Sequence, residues 1–218
     1  MIYLIAILSY LVGSIPFGFL VVKTVSGRDV RQVGSGRTGG TNAMRAAGVP
    51  AGLLTAVLDT LKGAGCVYFA QLVLPGGTQA VGMVLAGLFA IVGHNYSIFM
   101  GFKGGAGGAP TVGGAFAIWP WSFAIAVPLC VGVWFGIGYA SLATIAAAVI
   151  ITALFAYRAL AQQAPAAFIL YGLGASVLLV WALRPNIRRL LKGEERRMGW
   201  GARRRKQAAP TETPGKNP

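Results

Sequence analysis

Apolar runs of roughly membrane-crossing length alternate with short polar breaks along most of this chain. They fall at 2–22, 51–74, 79–100, 112–136, 139–157 and 165–183. Such runs predict transmembrane helices, because about 20 residues rising about 1.5 Å each cover a hydrocarbon core about 30 Å thick. The run at 112–136 has to be divided at Trp119-Pro120-Trp121, where proline stops a helix and tryptophan favours the interface; this gives short spans near 110–119 and 121–136. The pattern therefore predicts an all-α, multi-pass integral membrane bundle of about seven transmembrane helices. The span near 110–119 is too short to cross alone, so it must be sheltered by its neighbours or be partly re-entrant.

Composition agrees with a bilayer as solvent. Apolar residues make up 56% of the 218, charged residues 11%, and the mean hydropathy is +0.67, which excludes an ordinary soluble domain. Cys66 and Cys130 lie inside apolar runs without CxxC spacing, and there is one histidine, so neither a disulfide framework nor a zinc site is expected. The first run has no basic leader and no clear cleavage site, and reads as a retained span. Beyond Arg184 the chain turns basic and ends in Pro-Thr-Glu-Thr-Pro-Gly-Lys-Asn-Pro, which cannot bury an apolar face. Residues 1–199 are thus expected to form the membrane domain and 200–218 a disordered basic tail.

Charge sets the expected orientation. Lys23 to Arg45 carries five cations and the 101–111 loop carries Lys103, whereas Pro75-Gly76-Gly77-Thr78 carries none. Positive-inside bias puts the two cationic loops in the cytoplasm, the N-terminus outside, and the basic C-terminus in the cytoplasm, with Arg203 to Lys206 on anionic headgroups.

The polar breaks carry the candidate chemistry. Gly34-Ser35-Gly36-Arg37-Thr38-Gly39-Gly40-Thr41-Asn42-Ala43-Met44-Arg45 combines glycines, whose backbone N–H groups can converge on an anion, with donors on Ser35, Thr41, Asn42 and Arg45. A P-loop is excluded, since Gly40 stands where its lysine belongs and no strand precedes it. Gly93-His94 followed by Lys103-Gly104-Gly105 forms a second cluster, and Arg184-Pro185-Asn186 a third. All three fall on one membrane face, and Ser35, Lys103 and Asn186 are expected around a common phosphate-binding hollow. Asp59 and Lys62 share a helix face at i and i+3, as a structural ion pair or as part of the site. His94 is either a hydrogen-bonded loop histidine or a base; Phe99 stands where soluble acyltransferases place the aspartate of their dyad. Ser141 is either a helix cap or a substrate contact. Trp119, Trp121, Trp134 and Trp181 read as interface anchors.

Taken in order, Gly34-Ser35-Gly36, Gly40-Thr41-Asn42, Arg45, Asp59, Lys62-Gly63, Gly93-His94, Phe102-Lys103-Gly104-Gly105, Tyr139 to Ala143 and Asn186 to Leu190 with Gly193 and Glu195 resemble the bacterial acyl-phosphate:glycerol-3-phosphate acyltransferases of the PlsY type. The resemblance implies a seven-span inner-membrane enzyme with a cytoplasmic active site. It implies transfer of a fatty acyl group from acyl phosphate to the 1-hydroxyl of glycerol 3-phosphate, giving lysophosphatidic acid and phosphate for phospholipid biosynthesis. Ser35, Arg45, Lys103 and Asn186 are then the catalytic set; Gly34, Gly36, Thr41, Asn42, His94, Gly104, Gly105, Ser141 and Arg184 bind substrate, and Asp59 and Lys62 support them. No metal, nucleotide or other cofactor and no nucleic acid is implied, and the acyl chain lies among apolar spans. Two positions depart from the family pattern: Ala106 replaces the second lysine of Lys-Gly-Gly-Lys-Gly, and Leu183 replaces a histidine three residues before the asparagine. The alternatives are an impaired paralogue that binds anionic lipid or regulates a partner, and a transporter of a phosphorylated solute.

Overall fold

The computed structural model describes residues 1–197, and all regular structure among them is helical. Eight helices follow in order: α1 Ile2–Ser14, α2 Phe17–Ser26, α3 Gly40–Val73, α4 Gly76–Asn95, α5 Gly108–Ile118, α6 Trp121–Ile137, α7 Ala140–Leu160 and α8 Ala167–Leu191. The expected tail at 200–218 lies outside the described residues.

The apolar runs and the helices correspond, with two local differences. Pro16 breaks the first run into α1 and α2, because proline has no N–H to continue the ladder. The break takes the Ile15 carbonyl out of the helical ladder, where it accepts from the Phe17 N–H at 3.1 Å and from Lys62 Nζ at 2.9 Å. Second, the polar residues 40–46 are already helical: α3 starts at Gly40, and a kink at Ala47 and Gly48 (φ 87°), just ahead of Pro50, separates this leading piece from the apolar shaft. Among the described residues, five stretches are long and apolar enough to cross a membrane: Ile2–Ser26, Gly40–Val73, Gly76–Met100, Ala140–Leu160 and Ala167–Leu191. The shorter α5 and α6 meet at Trp119-Pro120, where the sequence placed a break.

Close backbone approach holds the bundle together. α1 packs on α4 and α5 on α3, and at each contact glycine removes the side chain that would stand in the way. A methyl group on Gly13 would overlap the Ala90 carbonyl, and one on Gly113 would overlap the Thr60 carbonyl. This contact shelters the 11-residue α5, whose Pro110, Thr111, Gly113, Gly114 and Ala115 are buried. The core at the middle of the bundle centres on Tyr171 of α8, fully buried beside Phe155, with its hydroxyl donating to the Thr111 carbonyl at 2.7 Å. A buried tyrosine hydroxyl needs such a partner, so this bond fixes the rotation of α8 against α5.

Packing of this kind makes a specific demand on stability. Gly113→Val is expected to destabilise the purified protein by at least about 1–3 kcal/mol, because backbone blocks the new side chain. Gly65→Val, on the same helix as Thr60 but with open space around it, is expected to leave the thermal unfolding midpoint unchanged.

Candidate functional site

The glycine-rich loop owes its shape to one side chain. Asn42, 2% exposed, donates from Nδ2 to the carbonyls of Val30, Val33 and Arg37, each at 2.9 Å, while its Oδ1 accepts from the Ser35 N–H at 3.1 Å. The amide is consumed within the loop, so Asn42 organises the site instead of reaching a ligand. Around it, Gly34 (φ 55°) and Gly36 (φ 71°) adopt left-handed backbone that turns Ser35 outward. Asp29 starts the segment by accepting from the Arg31 N–H and pairing with its guanidinium.

The loop forms one wall of a cavity of about 370 Å³. Gly34, Ser35, Thr41 and Arg45 line it on this side, Asp59 and His94 on α3 and α4, Ser141 and Thr144 on α7, and Asn186 and Arg189 on α8. The segment after α8 closes the ring: Glu195 accepts from Asn186 Nδ2 at 2.7 Å and from Arg189 Nε at 3.1 Å, and Arg196 also faces the cavity. Ser141 Oγ, Asn186 Oδ1 and Trp134 Nε1 are among the buried polar atoms on this lining that have no hydrogen-bond partner among the described residues. Unpartnered buried oxygens are costly, and a bound polar molecule would satisfy them. Ser141 does not cap α7, whose N-cap is Tyr139.

The expected single hollow is in fact two. Gly36, Lys103, Gly104, Gly105 and Arg184 line a second cavity of about 530 Å³, together with Arg188, Tyr96 and the buried, unpartnered Asn95. Ser35 and Asn186 therefore share a cavity, and Lys103 faces its neighbour. The division follows from Arg37, which lies in the wall between the two and donates to the carbonyls of Gly105 and Ala182. Burial lowers the Arg37 pKa from the ordinary arginine value, and the nearby Arg189 cation lowers it further. Gly104 and Gly105 answer to packing, since a methyl group on either would overlap His94, by its carbonyl or its ring.

Lys62 lines neither cavity. It pairs with Asp59 at 2.9 Å behind the site and stands over the Phe17 ring at 5.6 Å. The same Asp59 oxygen lies 3.4 Å from His94 Nδ1, so a histidine–carboxylate contact absent from the local sequence spacing forms between α3 and α4. Sequence reasoning passed over Arg37, Arg189, Glu195 and Arg196 as site residues. The signal for Arg37 was its place inside the glycine loop, and for Arg189 and Glu195 their place in the motif from Asn186 to Glu195; for Arg196, only the return of the chain after α8 reveals it.

Beside the first cavity runs an apolar groove of about 730 Å³ between α3, α5, α6 and α7. The two spaces share lining residues, Thr41, Gly108, Trp134 and Thr144 among them, so the groove adjoins the cavity. A cationic cavity beside an apolar groove, in a bundle with membrane-spanning helices, has the layout of a lipid-forming acyltransferase.

Comparison with known proteins gives the particular family. The chain belongs to the glycerol-3-phosphate acyltransferase family, whose description matches residues 3–193. It is 42% identical over 212 residues to glycerol-3-phosphate acyltransferase 3 of Dehalococcoides mccartyi strain CBDB1, covering 92% of this chain and 97% of the relative. It is 37% identical to the glycerol-3-phosphate acyltransferase of Staphylococcus saprophyticus, over 92% of this chain and 99% of that one. The crystal structure of PlsY, an integral membrane glycerol 3-phosphate acyltransferase, in its glycerol 3-phosphate form superimposes with a TM-score of 0.78 at 34% identity, covering 91% of this chain and 96% of that one. Its lysophosphatidic acid form gives 0.75 at 32% identity, covering 91% and 95%.

The clamp by Asn42 is open to a direct check. Asn42→Asp keeps the side-chain shape but turns a carboxylate toward three carbonyls, so the loop is expected to open. Trypsin should then cleave at Arg31 or Arg37 at least about tenfold faster than in the parent protein, a change of about 1.4 kcal/mol in the opening equilibrium.

Proposed function

We propose that this chain moves a fatty acyl group from acyl phosphate to the 1-hydroxyl of glycerol 3-phosphate, giving lysophosphatidic acid and inorganic phosphate. The observation that carries the reading is the adjacency of the cation-lined cavity and the apolar groove, a layout in which one amphiphile would keep its phosphate among arginines and its chain in hydrocarbon. Family membership favours this over a non-catalytic regulator or a transporter.

Acyl phosphate is a mixed anhydride with an activated carbonyl and a stable leaving group. The acceptor hydroxyl attacks the carbonyl carbon, the bond from that carbon to the phosphate oxygen breaks, and phosphate leaves with the electron pair. The hydroxyl proton passes to a phosphate oxygen, so no protein base is obligatory. The protein's part is to position two anions and stabilise developing charge. Ser35, Thr41 and Arg45 hold the phosphate of one reactant, with Ser141, Asn186, Arg189 and Arg196 completing the ring. Lys103, Gly104, Gly105 and Arg184 receive the phosphate end of glycerol 3-phosphate from the second cavity. The Asp59–Lys62–His94 cluster holds α3, α4 and the α1–α2 break in register beneath them.

Arg37 explains how the pocket can work without the two missing family side chains. Ala106 and Leu183 both line the first cavity, and Arg37 bonds to the carbonyls of the residues immediately before them, Gly105 and Ala182. Its guanidinium places positive charge between the two positions.

The orientation belongs to the same reading. The cavities are bordered by the start of α3, α5 and α7 and by the end of α4, α6 and α8, an alternation that supports seven crossings, with α1 and α2 forming one broken span. Positive charge on this side supports a cytoplasmic site in a bacterial inner membrane, an outer N-terminus and a cytoplasmic C-terminus.

Purified protein given palmitoyl phosphate is expected to release phosphate only when glycerol 3-phosphate is added; release independent of acceptor, or none, refutes acyl transfer. Arg37→Gln is expected to lower kcat/KM by about 30- to 1,000-fold, the cost of about 2–4 kcal/mol of lost charge stabilisation. Adding Ala106→Lys to that variant should recover at least about tenfold, equal to about 1.4 kcal/mol.

A further inference from the structure

We propose that the aromatic pair Phe116–Phe123 ends the apolar groove and sets the longest acyl chain that this site accepts in extended form. The proposal rests on the acyl-transfer reading above and names a specificity determinant within it.

The two rings belong to the turn that joins α5 to α6. Phe116 lies near the end of α5 and Phe123 near the start of α6, and the rings meet edge to face at 5.7 Å with 73° between their planes. Both line the groove, at the end away from Trp134 and Gly108, where it joins the anion cavity. The occupant follows from that adjacency and from the wall. Apart from Thr41 and the Trp134 indole at the mouth, the polar side-chain groups along the groove are the hydroxyls of Thr60 and Thr144 and the Cys130 thiol, and Thr144 already donates to the Ala140 carbonyl. Such a wall offers contacts to hydrocarbon and almost none to a polar ligand.

The helices supply the ruler. Trp134 and Phe123 are separated by eleven residues of α6, about 16 Å, and Gly108 and Phe116 by eight residues of α5, about 12 Å. A carbon zigzag of 1.52 Å bonds at about 111° advances about 1.25 Å per atom, so about ten to thirteen carbons fit between the mouth and the rings. A longer chain must leave the groove sideways before reaching the pair. Because the groove is open to lipid, the departing methylenes stay in an apolar medium, and the discrimination is milder than in a closed pocket, about three- to tenfold.

The test uses the full chain in lipid nanodiscs, with glycerol 3-phosphate and acyl phosphates of 10 to 18 carbons. For the parent protein, kcat/KM is expected to peak near 12–14 carbons and to fall about three- to tenfold by 18. The double variant Phe116→Leu, Phe123→Leu should move the peak two to four carbons longer. Val127→Phe places a ring one turn nearer the mouth, about 6 Å along α6, and should move the peak about four to five carbons shorter. Since these changes face the groove in opposite senses, a folding defect in one leaves the other to decide. An unchanged chain-length profile in both variants overturns the proposal while leaving acyl transfer intact. Absence of acceptor-dependent turnover at every chain length overturns the acyl-transfer reading and this inference together.

Discussion

Positive charge held without enough negative charge to balance it governs this molecule. Arg37, Arg45, Lys103, Arg184, Arg188, Arg189 and Arg196 border the two cavities; the carboxylates on the same walls are Asp59, paired with Lys62, and Glu195, shared by Asn186 and Arg189. Gathering cations while stripping water from them is unfavourable, and the half-buried Arg37 bears that cost most directly. A phosphate entering the cavity relieves it. In the proposed reaction, the same unfavourable field that the fold must withstand would attract and position a doubly anionic reactant.

Withstanding that field falls to parts of the structure far less polar. Glycine contacts between α1 and α4 and between α3 and α5 allow backbone to approach backbone, and the Tyr171 hydroxyl locks α8 to α5. On this scaffold Asn42 ties a loop of otherwise permissive glycines into one conformation, and Lys62 fills the gap left by Pro16 while holding Asp59 near His94. Asn42 and Lys62 therefore each compensate a break in regular backbone, while Ser141 Oγ and Asn186 Oδ1 face the cavity without a partner among the described residues.

Much of this was legible in the chain itself, for physical reasons. Apolar length marks a membrane helix, so the helix positions and the break at Trp119-Pro120 could be read directly. The three polar clusters also pointed to a shared end of the bundle. Side-chain direction was not legible. Asn42 looks like any other donor in the sequence, and only the three carbonyls around it show that its amide is already committed. Lys103 and Ser35 are separated by a single arginine whose reach across to α8 depends on tertiary packing. Likewise, Asp59 and His94 meet through the approach of α3 to α4, which no local spacing encodes. The fold of the 192–197 segment over the cavity depends on the left-handed Gly193 and on Glu195 finding Asn186, both long-range consequences of where α8 ends.

The central claim is that head and tail of one amphiphile occupy the cationic cavity and the groove together. A structure of the full chain with a non-transferable acylphosphonate tests it most directly. The expected result places the phosphonate within hydrogen-bonding distance of Ser35 and Arg45 or Arg37, and the chain along α6 from Trp134 toward Phe123. A phosphonate bound outside this ring of cations, or a chain lying on another face of the bundle, would contradict the account.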